Sequence, residues 1–153
     1  MDKVIILTPV YNDWESLHVL VSDIDNLQWE RNLEIEIIII NDGSNLNEFK
    51  LDFKLKKISN IEVISLIKNI GHQKSIAIGL PYIFQNYKSD SIIVIDSDGE
   101  DNPNDILKLI KKSQQNENEI IFAKRSKRSE NYLFKIFYQL YKLLFLLTTG
   151  EKI

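Results

Sequence analysis

Ser91-Ile92-Ile93-Val94-Ile95-Asp96-Ser97-Asp98-Gly99-Glu100-Asp101-Asn102-Pro103 joins an apolar, β-branched run to four acids within six residues. Unbroken Ile/Val runs of this length read as strands covered on both faces. Carboxylates set so close repel one another, and folding alone has no use for that many at one strand end. A divalent cation relieves the repulsion, because carboxylate oxygens are the ligands that Mg2+ and Mn2+ prefer. Asp96 and Asp98, two residues apart, can reach one ion, or one ion and one sugar hydroxyl. Gly99 lets the backbone turn tightly beneath them. An EF-hand counted from Asp96 needs glycine at its sixth place and an acid at its twelfth. Those places hold Asp101 and Leu107, so that loop is excluded. The competing reading is a solvated acidic turn that caps the next helix. The stretch is read here as the metal-holding edge of an enzyme that handles a phosphorylated substrate.

Four more apolar runs look like strands: Val4–Leu7, Ile35–Ile40, Ile61–Leu66 and Ile120–Ala123. Helical patterns separate them at roughly Trp14–Leu27, Asn47–Lys57, His72–Gln85 and Asn104–Gln114. The first has a capping box, with Asn12 as the cap and Glu15 three residues on. Strict alternation of strand and helix predicts an α/β fold, a doubly wound and mostly parallel sheet. In such a sheet the carboxyl ends of all strands share one edge, where ligands bind. Each run here is followed by a polar segment, several of them bearing glycine: Thr8–Asn12, Asn41–Ser44, Lys68–Lys74, the acid cluster, and Lys124-Arg125. Turn chemistry accounts for any one of these and poorly for all five together.

The 153 residues make about one domain. A hydrophobic content of 44% with 27% charged residues is that of an ordinary soluble globular chain. With no cysteine, disulfides and thiolate metal sites are excluded, and a reducing cytoplasm is the expected location. The first strand begins at once, so no signal peptide is expected. Residues 1–123 carry 12 Lys/Arg against 20 Asp/Glu, a net −8, whereas residues 124–153 carry seven against two, a net +5. An acidic body argues against nucleic acid, and a basic, apolar tail points to a partner of its own.

The other strand ends carry further candidates. Tyr11 after Pro9 can stack on a nucleotide base, with core filling as the alternative. Asp42 can accept from a base N–H or a ribose hydroxyl, or it can simply make a turn. Between Lys68 and Lys74 two cations, His72 and Gly71 stand near a helix start, where free N–H groups and the dipole suit a pyrophosphate. His18 reads as structural. In the tail, Tyr132–Leu147 is aromatic and aliphatic apart from Lys135, Gln139 and Lys142 on one stripe. Such a segment does not cross a bilayer; it fits an amphipathic helix lying at an anionic membrane interface. Packing on another segment or a homodimer contact fits nearly as well.

Taken together, Pro9-Val10-Tyr11-Asn12, Asn41-Asp42-Gly43-Ser44, Asn69-Ile70-Gly71-His72-Gln73, Ala77-Ile78-Gly79-Leu80 and Asp96-Ser97-Asp98 resemble family 2 glycosyltransferases of the GT-A fold. Within that family the likeness is greatest to polyprenyl-phosphate (dolichol- or undecaprenyl-phosphate) sugar transferases. It runs over residues 4–125 and, through the basic, aromatic tail, to about residue 149. The resemblance implies a nucleotide-sugar-binding GT-A domain over residues 1–128 and a helical tail over 129–153, within the same domain or facing a membrane. It also implies a nucleotide held by Pro9, Tyr11, Asn12, Asp42, Asn69, Gly71, His72 and Asp96. Mg2+ or Mn2+ would sit on Asp96 and Asp98, and Asp98, Glu100 and Arg125 would carry catalysis. Glu100 occupies a place usually held by glutamine. The implied reaction moves a sugar from a nucleoside diphosphate to a lipid phosphate or a saccharide, at the cytoplasmic face of the membrane. A nucleotidyltransferase would show glycines directly after the first strand, and Thr8–Asn12 has none. The chain is short for the family. It is expected to be a shortened relative, part of a split system or a fragment, with a non-catalytic nucleotide-sugar-binding module as the alternative.

Overall fold

The computed structural model describes residues 2–30, 32–45, 50, 52–116, 119–124 and 132–149. The elements are β1 (Asp2–Val10), α1 (Trp14–Asp25), β2 (Leu33–Asn41), β3 (Ile58–Ser65), α2 (His72–Asn86), β4 (Ser91–Val94), α3 (Asn104–Ser113) and α4 (Tyr132–Thr149). Residues 1–121 and 122–153 form two compact units.

In the first unit the strands lie in the order β3-β2-β1-β4, and every pair is parallel. Two buried layers explain why β1 and β2 are apolar without alternation. On one face Val4, Ile6, Ile35, Ile37, Ile39 and Ile93 meet Leu17, Leu20, Val21 and Ile24 of α1 and Ile106 and Ile110 of α3. On the other, Ile5, Leu7, Ile38 and Ile40 pack with Ile83 of α2. Each such side chain contributes on the order of 2 kcal/mol by leaving water. Gly79 brings α2 down onto β1, since a Cβ there would stand 2.6 Å from Leu7 Cδ1.

The expected α/β layer with a parallel sheet is present, with three local differences. The helix expected over 47–57 is not found at residue 50 or 52–57; residues 46–49 and 51 lie outside the described residues. Instead the buried Asp25 carboxylate accepts from the backbone N–H groups of Lys56 (2.9 Å), Lys57 (2.8 Å) and Ile58 (3.0 Å). A side chain that takes these donors leads the chain into β3 rather than into helical pairing. The run Ile120–Ala123 forms no strand, and Ile120 and Phe122 are exposed, because no neighbouring strand pairs with it. The N-cap of α1 is Asp13, whose side chain accepts from Ser16 N (3.1 Å), not Asn12.

In the second unit α4 runs 18 residues. Phe137, Tyr138, Leu140, Tyr141 and Leu144 are exposed, and Lys142 Nζ lies 4.9 Å from the centre of the Tyr138 ring. Among the described residues no helix is long and apolar enough to cross a membrane.

Candidate active site

The carboxyl ends of β1, β2 and β4 and the start of α2 meet at one edge of the sheet. Ile95 N donates to Leu7 O (3.1 Å), and Ser97 Oγ donates to Pro9 O (2.9 Å), so the β4 exit is fastened against the β1 exit. Ser97 thereby turns inward and buries, which leaves Asp96 and Asp98 at the surface on either side of it. Asp98 is exposed; its Oδ1 accepts from Glu100 N (2.9 Å) across the turn, where Gly99 adopts φ +77°.

A second set of bonds ties β1 to β2. Asn12 takes a left-handed conformation (φ +56°), unusual for a residue with a side chain but tolerated by asparagine. Its N–H donates to Ser44 Oγ and its Oδ1 accepts from Asn45 N, both at 2.9 Å. Asn12 thus joins two loops, and it does not line the cleft described below.

Asp42 is only 3% exposed and works as a clamp. Its Oδ1 accepts from Ile70 N (2.8 Å) and its Oδ2 from Gly71 N (2.9 Å), which fixes the segment that leads into α2. That segment passes so close that a Cβ on Gly43 would sit 2.4 Å from the carbonyl carbon of Lys68, and Gly43 also has φ +69°. Only glycine fits there. At the residue after Gly71, His72, Nε2 lies 3.1 Å from Asp96 Oδ1.

These contacts enclose a cleft of about 310 Å3, lined by Pro9, Val10, Tyr11, Asp13, Asp42, Asn69, Gly71, His72, Asp96, Ser97 and Asp98. Eight residues expected at the site from sequence therefore line one cavity: Pro9, Tyr11, Asp42, Asn69, Gly71, His72, Asp96 and Asp98. Glu100 is exposed and does not line it, and Arg125 lies outside the described residues. Asp13 and Ser97 were missed. Asp13 was overshadowed by Asn12 as a cap candidate, and Ser97 had no signal beyond its place between two acids. A larger groove of about 880 Å3 lies along α1, between Trp14, His18 and Asp52 and the Gly99–Pro103 turn, but none of the described site residues expected from sequence lines it.

A divalent metal suits this edge. Among the described residues no three His, Cys, Asp or Glu side chains gather into a protein cage. Mg2+ and Mn2+ at phosphate sites use one or two carboxylates, and the phosphates and water complete the shell. Asp96 and Asp98, both oxygen donors reachable from the cleft, fit that pattern.

In open parallel α/β sheets ligands bind at this carboxyl edge of the strands. Glycosyl transferase family 2 matches residues 5–152, and the chain belongs to that family. It is 29% identical over 131 residues to the uncharacterized glycosyltransferase YkcC of Bacillus subtilis (strain 168), a match over 85% of this chain and 39% of YkcC. The fold is similar to that of S. aureus TarS 1-349, with a TM-score of 0.54 and 18% identity over 85% of this chain and 40% of that one. The chain thus spans about 40% of the length of the proteins it matches here.

Proposed function

We propose that this chain transfers a sugar from a nucleoside diphosphate sugar to a polyprenyl phosphate at a membrane surface, with Mg2+ or Mn2+ on Asp96 and Asp98. The observation that carries the reading is the convergence of Pro9, Tyr11, Gly71, His72, Asp96 and Asp98 on one cleft at the carboxyl edge of a parallel sheet. Tyr11, half exposed, offers a ring face to the base. Asp42 holds Ile70 and Gly71 where α2 begins, and a diphosphate bound there would gain from the free N–H groups of that helix start and from its dipole. Asp96 and Asp98 line the same cleft and would hold the metal beside the diphosphate, with Glu100 two residues further along the turn. Arg125, from its place in the sequence, would approach the phosphates.

In the reaction an acceptor oxygen attacks the anomeric carbon. The bond from that carbon to the diphosphate oxygen breaks, and the nucleoside diphosphate leaves with the electron pair. The metal, when bound, neutralises the charge gathering on that leaving group. A lipid phosphate is already anionic and needs no general base. A saccharide hydroxyl would need one, and Glu100 or Asp101 is the candidate.

The tail supports the membrane acceptor. The exposed face of α4 carries Phe137, Tyr138, Leu140, Tyr141 and Leu144 beside Lys142, the composition of a helix that lies in an anionic interface. On this reading the protein works at the cytoplasmic face of the membrane. Tyr141→Glu combined with Leu144→Glu is expected to lower co-sedimentation with phosphatidylglycerol vesicles several-fold. Equal pelleting of the two proteins would remove the membrane from the reading.

The direct test incubates purified protein and Mn2+ with UDP- and GDP-sugars and a polyprenyl phosphate. Sugar-loaded lipid is the expected product. Metal-dependent nucleotide binding without turnover would instead define a nucleotide-sugar-binding module.

A further inference from the structure

We infer that His72 is a positioning residue for the metal edge: it holds the Asp96 carboxylate in place and links it to the nucleotide side of the cleft. The inference rests on the metal-dependent nucleotide binding proposed above and adds a role that neither the motif nor the family supplies. Two polar anchors lie in series. Buried Asp42, at the end of β2, takes the N–H groups of Ile70 and Gly71 with separate oxygens. This sets the first residue of α2, and the Gly71 N-cap brings no side-chain cap of its own. His72 is that first residue, and its Nε2 lies 3.1 Å from Asp96 Oδ1, just beyond the end of β4. The β2 and β4 exits are not adjacent in the sheet, since β1 lies between them. The path through Asp42, the backbone of residues 70–71, His72 and Asp96 spans that gap over the top of the sheet.

A single aspartate on a strand exit has two rotatable bonds and a carboxylate that can turn away from the ligand. A contact from His72 to one oxygen narrows those rotations, so less ordering remains to be done when a metal and a diphosphate arrive. Groups that orient metal ligands commonly matter 10- to 100-fold in metal affinity when removed. Both side chains are partly open to solvent, at 49% for His72 and 37% for Asp96, so the contact can respond to a ligand without unfolding the core.

The test uses the whole chain and three proteins: wild type, His72→Ala and His72→Gln, whose amide N–H can still donate to Asp96. Mn2+ bound in the presence of UDP or GDP is read from loss of the free-ion paramagnetic resonance signal. Binding of uridine or guanosine without metal is read by calorimetry, and Tm is recorded for each protein. The expected result is roughly tenfold weaker Mn2+ binding in His72→Ala. Tm should stay unchanged, any fall in metal-free nucleoside affinity should be smaller than the fall in Mn2+ affinity, and His72→Gln should recover most of the loss. Equal Mn2+ affinity in wild type and His72→Ala overturns the inference and leaves the functional reading standing. An equal fall in metal-free nucleoside affinity, or a fall in Tm, also overturns it, because it marks a contact that does not act through the metal edge. Wild-type protein that binds no Mn2+ with either diphosphate sinks the functional reading, and the inference with it.

Discussion

Asp98→Ala is expected to remove metal-dependent nucleotide binding while the protein stays folded. The side chain is exposed, and its one hydrogen bond described above is the local turn to Glu100 N, so the core loses nothing. Surface changes of this kind usually alter stability by less than about 1 kcal/mol. The ligand, by contrast, loses one of two carboxylates. Truncating one partner of a desolvated charge pair costs roughly 2–5 kcal/mol, which corresponds to at least a 30-fold loss of affinity. Asp98→Asn separates the two roles, since its amide oxygen can keep the turn while the charge disappears. Calorimetric titration of UDP and GDP with Mn2+ reads the outcome. Affinity that is unchanged in Asp98→Ala would take this carboxylate out of the metal site, whereas a bound turn mutant with lost charge dependence would keep it there.

The second large effect concerns the fold. Asp25→Ala is expected to destabilise the protein by about 3 kcal/mol, because the backbone donors of Lys56, Lys57 and Ile58 lose their acceptor at the buried entrance to β3. The same site gives the protein a pH dependence. Burial pushes the Asp25 carboxyl upward, but the N–H groups of Ile58, Lys57 and Lys56, with the Lys56 charge, outweigh it and hold it below its ordinary value of 3.8. With the folded value depressed, the contribution is complete above pH 3.8. It is lost as the pH falls from there through the folded value, where the native carboxylate finally takes a proton. Denaturant melts of wild type and Asp25→Asn should therefore differ strongly at pH 6 and draw together as the pH falls below 3.8. A constant gap across that range would mean that the charge on Asp25 does not matter.

Much of the site was legible because its chemistry is dense in short segments. Asp96-Ser97-Asp98, Asn69–His72 and Pro9–Tyr11 each announce polar groups at a strand end, and a parallel sheet collects such ends on one edge. Asn12 was legible as a polar residue but not as a tie between loops, since its partners Ser44 and Asn45 lie more than thirty positions away in the sequence. Asp42 raised a similar difficulty. Its reading as a nucleotide contact came from its position after β2, whereas its two bonds to Ile70 and Gly71 depend on how β2 and α2 come together.

The helix expected over 47–57 shows where local pattern yields to tertiary structure. The spacing of Leu51, Leu55 and Ile58 is compatible with a helix, but propensity contributes only tenths of a kcal/mol per residue. One buried carboxylate from α1 that binds three successive N–H groups outweighs it. The run Ile120–Ala123 has the composition of a strand, yet a strand exists only where another strand supplies its hydrogen bonds.

Order of the Ile-rich runs, their parallel pairing and the identity of the polar ends were settled by the amino-acid sequence, because burial on both faces demands apolar continuity and ligand chemistry demands particular side chains. Which of those ends touch was decided only by the folded chain. The His72–Asp96 approach, the Asp42 clamp and the Asp25 anchor join residues from separate elements, and their contacts follow from how α1 and α2 pack on the sheet rather than from any local pattern.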